Sequence, residues 1–246
     1  MEREHNPLSA AFADASTAER LQAGQPALYA AADGFWSRCL TPAALTPRLT
    51  ELILVALHAS ATATNASAIA RHVRRAQEAG ASDVELHEVL LSIVGLANHS
   101  LYWAIPIYLD EFREKDGGSE VVLPELTEEL AAIKADFIRT RGFWNGNRDA
   151  IARCLPDYFA ALSELSVAPW KSGALSPKER ELIYIAIDSS VTHMYEPGLR
   201  IHLKAALDNG ASREEILEVL KLVAVFGMEG YILGVEAIHA AGETSR

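Results

Sequence analysis

The chain has 246 residues, half of them apolar, with 22 basic against 33 acidic side chains and a net charge of −11. That is ample for a packed interior, and the acidic balance argues against nucleic acid or an anionic membrane surface as a partner. No apolar run approaches the length of a membrane-spanning helix, and MEREHNPLSAAFADAS lacks the basic start and apolar block of a signal peptide; the expected compartment is the cytoplasm.

The opening residues are Ala-rich and predict a loosely packed helix over Leu8–Leu21. Pro26 then opens PALYAAADGFWSRCL, with proline in the favoured first turn. Thr46 caps the next helix, LTPRLTELILVALHASA, and Pro47 starts it. A third helix covers Asn65–Ala79 and ends at Gly80. Ser82 and Glu85 form a capping box at the head of VELHEVLLSIVGLANHS, and a further helix lies around Leu101–Glu114. REKDGGSEVVLPEL reads as a linker, followed by the amphipathic TEELAAIKADFIRTRG, closed by Gly142.

Pro156 begins the series again. Adding 130 to the residue number superimposes Leu45–Leu90 on Leu175–Leu220 without a gap, and 17 of those 46 positions are identical. Pro47/Pro177, Glu51/Glu181, His72/His202, Gly80/Gly210 and Glu85/Glu215 are among them. This is an internal duplication, and with no strand pattern anywhere it predicts an all-α fold of two helical units. The division expected is a first repeat over 1–115, a linker over 116–124 and a second repeat over 125–246. Cys39 and Cys154 fall at non-equivalent places, so no disulfide framework is expected.

The second copy carries a polar cluster on otherwise apolar helices: Glu181, His193, Tyr195, Glu196, Arg200 and His202. Such groups are costly to bury unless partnered or used. Their first-repeat equivalents at 193, 195, 196 and 200 are Ala63, Asn65, Ala66 and Ala70, a contrast that points to the second repeat as the seat of chemistry. Two plainer readings stand beside it. A histidine on an apolar face is commonly a satisfied core residue, and Glu196 with Arg200 has the spacing of a surface helix pair. His193-x-x-Glu196 with His202 has the residue types of a metal set but no sharper ligand motif, and no metal is expected.

RELIYIAI followed by RIHLKAALDNGASREEILEVL, and TELILVAL with ARHVRRAQEAGASDVELHEVL in the first half, resemble the carboxymuconolactone decarboxylase family. That family shares an all-α fold with alkyl hydroperoxidase D type proteins. The resemblance implies two fused repeats of that fold related by a pseudo-two-fold axis, the first with a degenerate site. The peroxidase branch carries Cys-x-x-Cys before its histidine. Here Asn65 and Ala68 precede His72, and Tyr195 and Gly198 precede His202, so thiol chemistry at that place is excluded.

The activity the resemblance implies is lyase chemistry without a cofactor on a small carboxylated lactone or related ring compound. His202 would serve as acid or oxyanion partner, oriented by Glu181, with His193 and Tyr195 also in catalytic positions. Glu196, Arg200, His72 and Glu51 would bind substrate. A homo-oligomer, most simply a trimer, is implied as well. Against this stand a non-catalytic binding or assembly protein of the same fold and, less favoured, a peroxidase-like protein.

Overall fold

In the computed structural model, residues 7–41 and 43–243 are described, and among them there is no strand. A short 3-10 turn, Leu8–Ala11, precedes α1 (Ala15–Gly24), so the predicted first helix is broken at residues 12–14. Asp14 makes the break by capping α1 through the Ser16 N–H. Then come α2 (Pro26–Cys39), α3 (Pro47–Ala59), α4 (Ala66–Glu78) and α5 (Asp83–Val94). A 3-10 turn at Gly95–Asn98 leads into α6 (His99–Lys115). After the linker follow α7 (Glu128–Arg141), α8 (Asn147–Cys154) and α9 (Pro156–Ser172). The chain then runs through α10 (Pro177–Asp188), α11 (Glu196–Asp208), α12 (Arg213–Val225) and α13 (Met228–Glu243).

Helices α3 and α10 are the centre of their respective repeats. Every residue from Leu49 to His58 of α3, and from Arg180 to Asp188 of α10, is buried, so neither helix has a solvent face. The Thr46 hydroxyl accepts from the Leu49 N–H, with Pro47 at the first helical position, as the sequence predicts. The turn after α3 forces Thr64 to φ 43°, and its equivalent Met194 stands at φ 45°. The chain then re-enters a helix whose inward stripe is Ala68, Arg71, His72 and Ala76.

The two repeats match in detail. Gly80 and Gly210 both take left-handed φ after their helices. Ser82 with Glu85 and Ser212 with Glu215 both close capping boxes. The hydroxyls of Thr62 and Thr192, equivalent under the 130-residue offset, meet at 2.7 Å. Equivalent residues touching one another lie on the pseudo-two-fold axis.

Two carboxylates lock the entries to the central helices. Glu218 on α12, a second-repeat residue, accepts from the N–H groups of Ala43, Ala44 and Leu45 in the first repeat. Its equivalent, the buried Glu88 on α5, accepts from Ala174 and Leu175 at the entry to α10. Each repeat therefore caps the other. Burial alone would raise the Glu218 carboxyl, yet the three backbone N–H groups hold it below the usual carboxylate range.

By contacts the chain forms two compact units that differ from the linear division at the linker. One is Met1–Leu86 with Lys178–Arg246, containing both acid–histidine pairs; the other is His87–Pro177. In the second unit Phe137 and Phe159 are fully buried, and Arg148 lies 3.9 Å above the Phe137 ring. Helix α8 belongs to this unit and has no counterpart in the sequence-based reading. It lacks a side-chain cap, which removes the usual start signal.

Both cysteines are free. The continuous helical stretch Asp83–Lys115 contains an 18-residue window of mean hydropathy 1.3 and, by length and composition alone, could cross a membrane. It includes the buried Glu88 and Asn98, and it exposes Trp103, Ile107, Tyr108 and Phe112.

Glu88→Ala leaves two N–H groups, the buried one of Leu175 and the more exposed one of Ala174, without their anionic acceptor. Urea unfolding should show a loss of about 1.5–3 kcal/mol, against a change within about 0.5 kcal/mol for a control at the exposed Glu114.

Candidate functional site

The first repeat's centre grows from helix α3. Glu51 and His58 lie two turns apart on it, and both are buried. His72 on α4 meets Glu51 through Nδ1 at 2.6 Å, and Arg75, one turn further, reaches the other Glu51 oxygen at 3.0 Å. The His58 ring stacks on His72 with centroids 5.0 Å apart and 9° between planes. Phe226, from the junction of α12 and α13, covers the other face of His58 at 5.2 Å.

Helix α13 supplies the remaining acid. Glu229 is paired with Arg71, which also donates to the Ala11 carbonyl at 3.0 Å and lies over Trp36. Asn65 donates its amide to the second Glu229 oxygen at 3.3 Å. His58 Nε2 stands 3.6 Å from the first, and Arg71 is 3.5 Å from His72 Nε2.

Burial dominates the electrostatics. It pushes Glu51 up to about 7 in spite of Arg75 and Arg71, and it raises Glu229 in spite of Arg71. Burial, with Arg71 adding repulsion, takes His58 down to about 2 and His72 well below its ordinary value. Both imidazoles are thus neutral near pH 7. For Glu51 and His72 two states then compete: a carboxylate accepting Nδ1–H, or a carboxylic acid donating to Nδ1. They differ by one proton, and a Glu51 pKa of about 7 makes them similarly populated at neutral pH.

The second repeat keeps the pair and changes its surroundings. His202 Nδ1 meets Glu181 at 2.6 Å, and Tyr184 stacks on the imidazole at 4.7 Å. Asp188 replaces His58, 3.8 Å from His202 Nε2 and 3.5 Å from His193 Nε2. Ile201 and Ala205 stand where the first repeat has Arg71 and Arg75. A β-carbon at Gly198 would lie 2.1 Å from Asp188, so the carboxylate occupies the space that Ala68 fills in the first repeat.

The structure therefore brings together Glu181, His202 and His193, and separately Glu51 and His72. Tyr195 packs near His193, with ring centroids 6.0 Å apart. Glu196 and Arg200 are not drawn in. They pair with each other at 2.7 Å on the solvent face of α11, about three-quarters exposed, while Gly198, His202 and Ala206 face inward. Their spacing is that of a surface i,i+4 pair. The first repeat's acid–histidine pair is as short as the second's. Arg71, His58 and Asn65 were not placed in a site by the sequence. The available signal was the mismatch of His58 with Asp188, and of Arg71 with Ile201, on otherwise matching helices.

A cleft of about 710 Å³ opens over the first centre, lined among others by Asn65, Ser67, Val191, Phe226, Glu229 and Leu233. Glu229 and Asn65 are its polar floor, with Arg71 and the two histidines behind. Donor atoms of His58, His72 and Glu229 lie within 4.8 Å of one another, close enough for a metal. The guanidinium of Arg71 already binds the same Glu229 oxygen and approaches His72 Nε2, which disfavours a second cation there.

The profile of the carboxymuconolactone decarboxylase family matches residues 26–98 and 156–241, two regions that start 130 residues apart. A crystal structure from Burkholderia xenovorans LB400, of a protein provisionally named a gamma-carboxymuconolactone decarboxylase subunit, is 35% identical. It covers 94% of this chain and 92% of its own, with a TM-score of 0.83. No curated protein matches.

The opposed shifts at the first centre define a pH test. Glu51 is raised, so its contribution to stability is full below its ordinary 4.5 and is lost as pH rises through about 7. His58 and His72 are lowered, so their contribution is present above 6.5 and declines as pH falls below it. Between 6.5 and 4.5 the two effects oppose. Glu51→Gln removes one side, and its stability measured by urea unfolding should fall more steeply on acidification than that of the wild type.

Proposed function

Because the chain belongs to the carboxymuconolactone decarboxylase family, we propose that it is a lyase needing no cofactor, acting on a small carboxylated lactone or related ring compound. The observation that carries this reading is the buried Glu51–His72 pair, 2.6 Å apart, with its carboxyl near neutrality and its imidazole neutral, beside a largely apolar cleft.

In such a substrate the departing carboxylate sits on a carbon conjugated through a double bond to the lactone carbonyl. The bond to carbon dioxide breaks, and its electron pair moves through the double bond onto the carbonyl oxygen. The resulting dienolate is then protonated on carbon, giving a lactone with a shifted double bond. The protein has to stabilise the oxygen charge and deliver one proton.

The acid form of Glu51 donates to His72 Nδ1 as Nε2–H gives its proton to the substrate carbon. The imidazole then never has to carry a full charge in a site that disfavours it, and the resting state returns when a proton from solvent is taken up at Nε2 as Nδ1–H passes back to Glu51. Arg71 and Arg75 supply the positive field for the growing negative charge. The centre at Glu181 and His202, without those arginines, is assigned a supporting role.

Release of carbon dioxide from carboxylated butenolides tests the reading. His72→Gln should lower turnover by about 10²–10⁴-fold with little change in melting temperature. Under this assignment His202→Gln should cost turnover less than His72→Gln does. If His72→Gln spares turnover per folded molecule and only destabilises, by about 1–3 kcal/mol, His72 is a core residue and the mechanism fails. A wild-type protein inert toward such lactones would sink the activity itself.

We also propose self-association, most simply a trimer, supported by the exposed apolar row on α6, where Trp103 is 73% exposed. Sedimentation at micromolar concentration should show an oligomer; a monomer would end the idea.

A further inference from the structure

The feature of the first centre that the lyase mechanism leaves unexplained is Glu229. It forms the floor of the cleft and is itself only 5% exposed. It is not a member of the relay. Its carboxylate is seated on Arg71, a cation 6% exposed, with Asn65 on its second oxygen. This is the arrangement in which a carboxylate-bearing ligand entering the cleft would be held, and a side chain of the protein already occupies it. We propose that the Arg71–Asn65 seat is a carboxylate-binding site whose resident anion, Glu229, is displaced by the ligand's carboxylate and takes up a proton as it leaves.

The physical reasons are charge and room. Among the described residues Arg71 has one ion-pair partner, Glu229, with Glu51 adding a more distant negative field, and a further carboxylate on this buried cation would add a negative charge with no cation of its own. A bound ligand carboxylate beside ionised Glu229 would leave one of them uncompensated. Protonating Glu229 removes the conflict.

The other groups facing Glu229 are His58 from α3, held neutral, and Glu236 on its own helix, whose charge adds to the tendency to protonate. The Arg71 charge opposes that tendency, and it is this opposition that the ligand lifts. Space for Glu229 to turn aside exists at the start of α13. Gly227 precedes it, and a β-carbon at the following Gly230 would meet nothing within 4 Å.

The wall of the cleft is apolar at Val191, Phe226 and Leu233, so the ligand class is a small ring or chain with an apolar body and a carboxylate. The inference is compatible with the lyase reading but stands on binding alone.

The test uses the full chain and benzoate, with benzamide as the uncharged isostere. Titration calorimetry in buffers of different ionisation heat counts protons. Benzoate should bind with uptake of up to one proton while benzamide binds at least tenfold more weakly. The benzoate Kd should rise, approaching about tenfold per pH unit, as pH climbs through the range in which Glu229 ionises. Glu229→Gln should bind benzoate more tightly at neutral pH, with no proton uptake and a flat pH profile.

Arg71→Gln, checked for a native circular dichroism spectrum, should lose benzoate binding by tenfold or more. If that variant does not fold, Glu229→Gln decides alone. No benzoate binding, binding without proton uptake, or an unchanged pH profile in Glu229→Gln overturns the proposal. Proton-coupled benzoate binding by a chain that decarboxylates no lactone would leave this proposal standing and remove the lyase reading. The converse pattern would do the opposite.

Discussion

The constraint on which the site depends is the complete burial of helix α3. A stretch of helix with no solvent face must satisfy every polar side chain inside the protein, and Leu49–His58 of α3 carries two that ionise, Glu51 and His58. Everything polar around them follows from that. His72 and Arg75 are presented by α4 at the height of Glu51, and Phe226 and Glu229 come from the far end of the chain to meet His58. The resulting centre holds an acid near neutrality and two imidazoles that stay uncharged, a state water would not allow.

Duplication makes the same constraint visible twice, with different solutions. On α10 the place of His58 is taken by Asp188, and the arginines of α4 are absent from α11. The change at Asp188 could not occur alone. Its carboxylate fills the volume of a β-carbon at residue 198, so a glycine there is a steric requirement of the acid. Two substitutions on neighbouring helices thus act as one, converting a histidine-and-arginine centre into one where His202 lies between two carboxylates.

The fold was legible in the sequence for local reasons. Thr46-Pro47, Ser82 with Glu85, Gly80 and Gly142 each mark a helix end through chemistry confined to four or five residues, and the 130-residue offset repeats most of them. Helix α8 escaped because Gly146 at its start offers no side-chain cap. Within the site, Glu51, His72, Glu181 and His202 were found because both repeats keep them. Arg71 and His58 were not, for the complementary reason. They differ between repeats, and the Arg71–Glu229 contact joins residues 158 apart in sequence, which no local spacing reveals. Glu196 and Arg200 drew attention as charges near the histidine, yet helical geometry turns them to the side opposite His202.

The exchange of elements between repeats explains why the first centre is not the product of one repeat alone. Helix α13, from the second repeat, completes the first centre, and Glu218 from α12 fixes the loop that launches α3. A single repeat folded by itself would leave Arg71 without its acid and the N–H groups of residues 43–45 without their acceptor. Fusing two repeats in one chain brings α13 to α4 as an intramolecular contact, independent of protein concentration. It also frees the two copies to differ. In an assembly of identical repeats, a His58 suited to one centre would appear in all of them. Here one copy keeps the histidine with its arginines, and the other can carry Asp188 with Gly198.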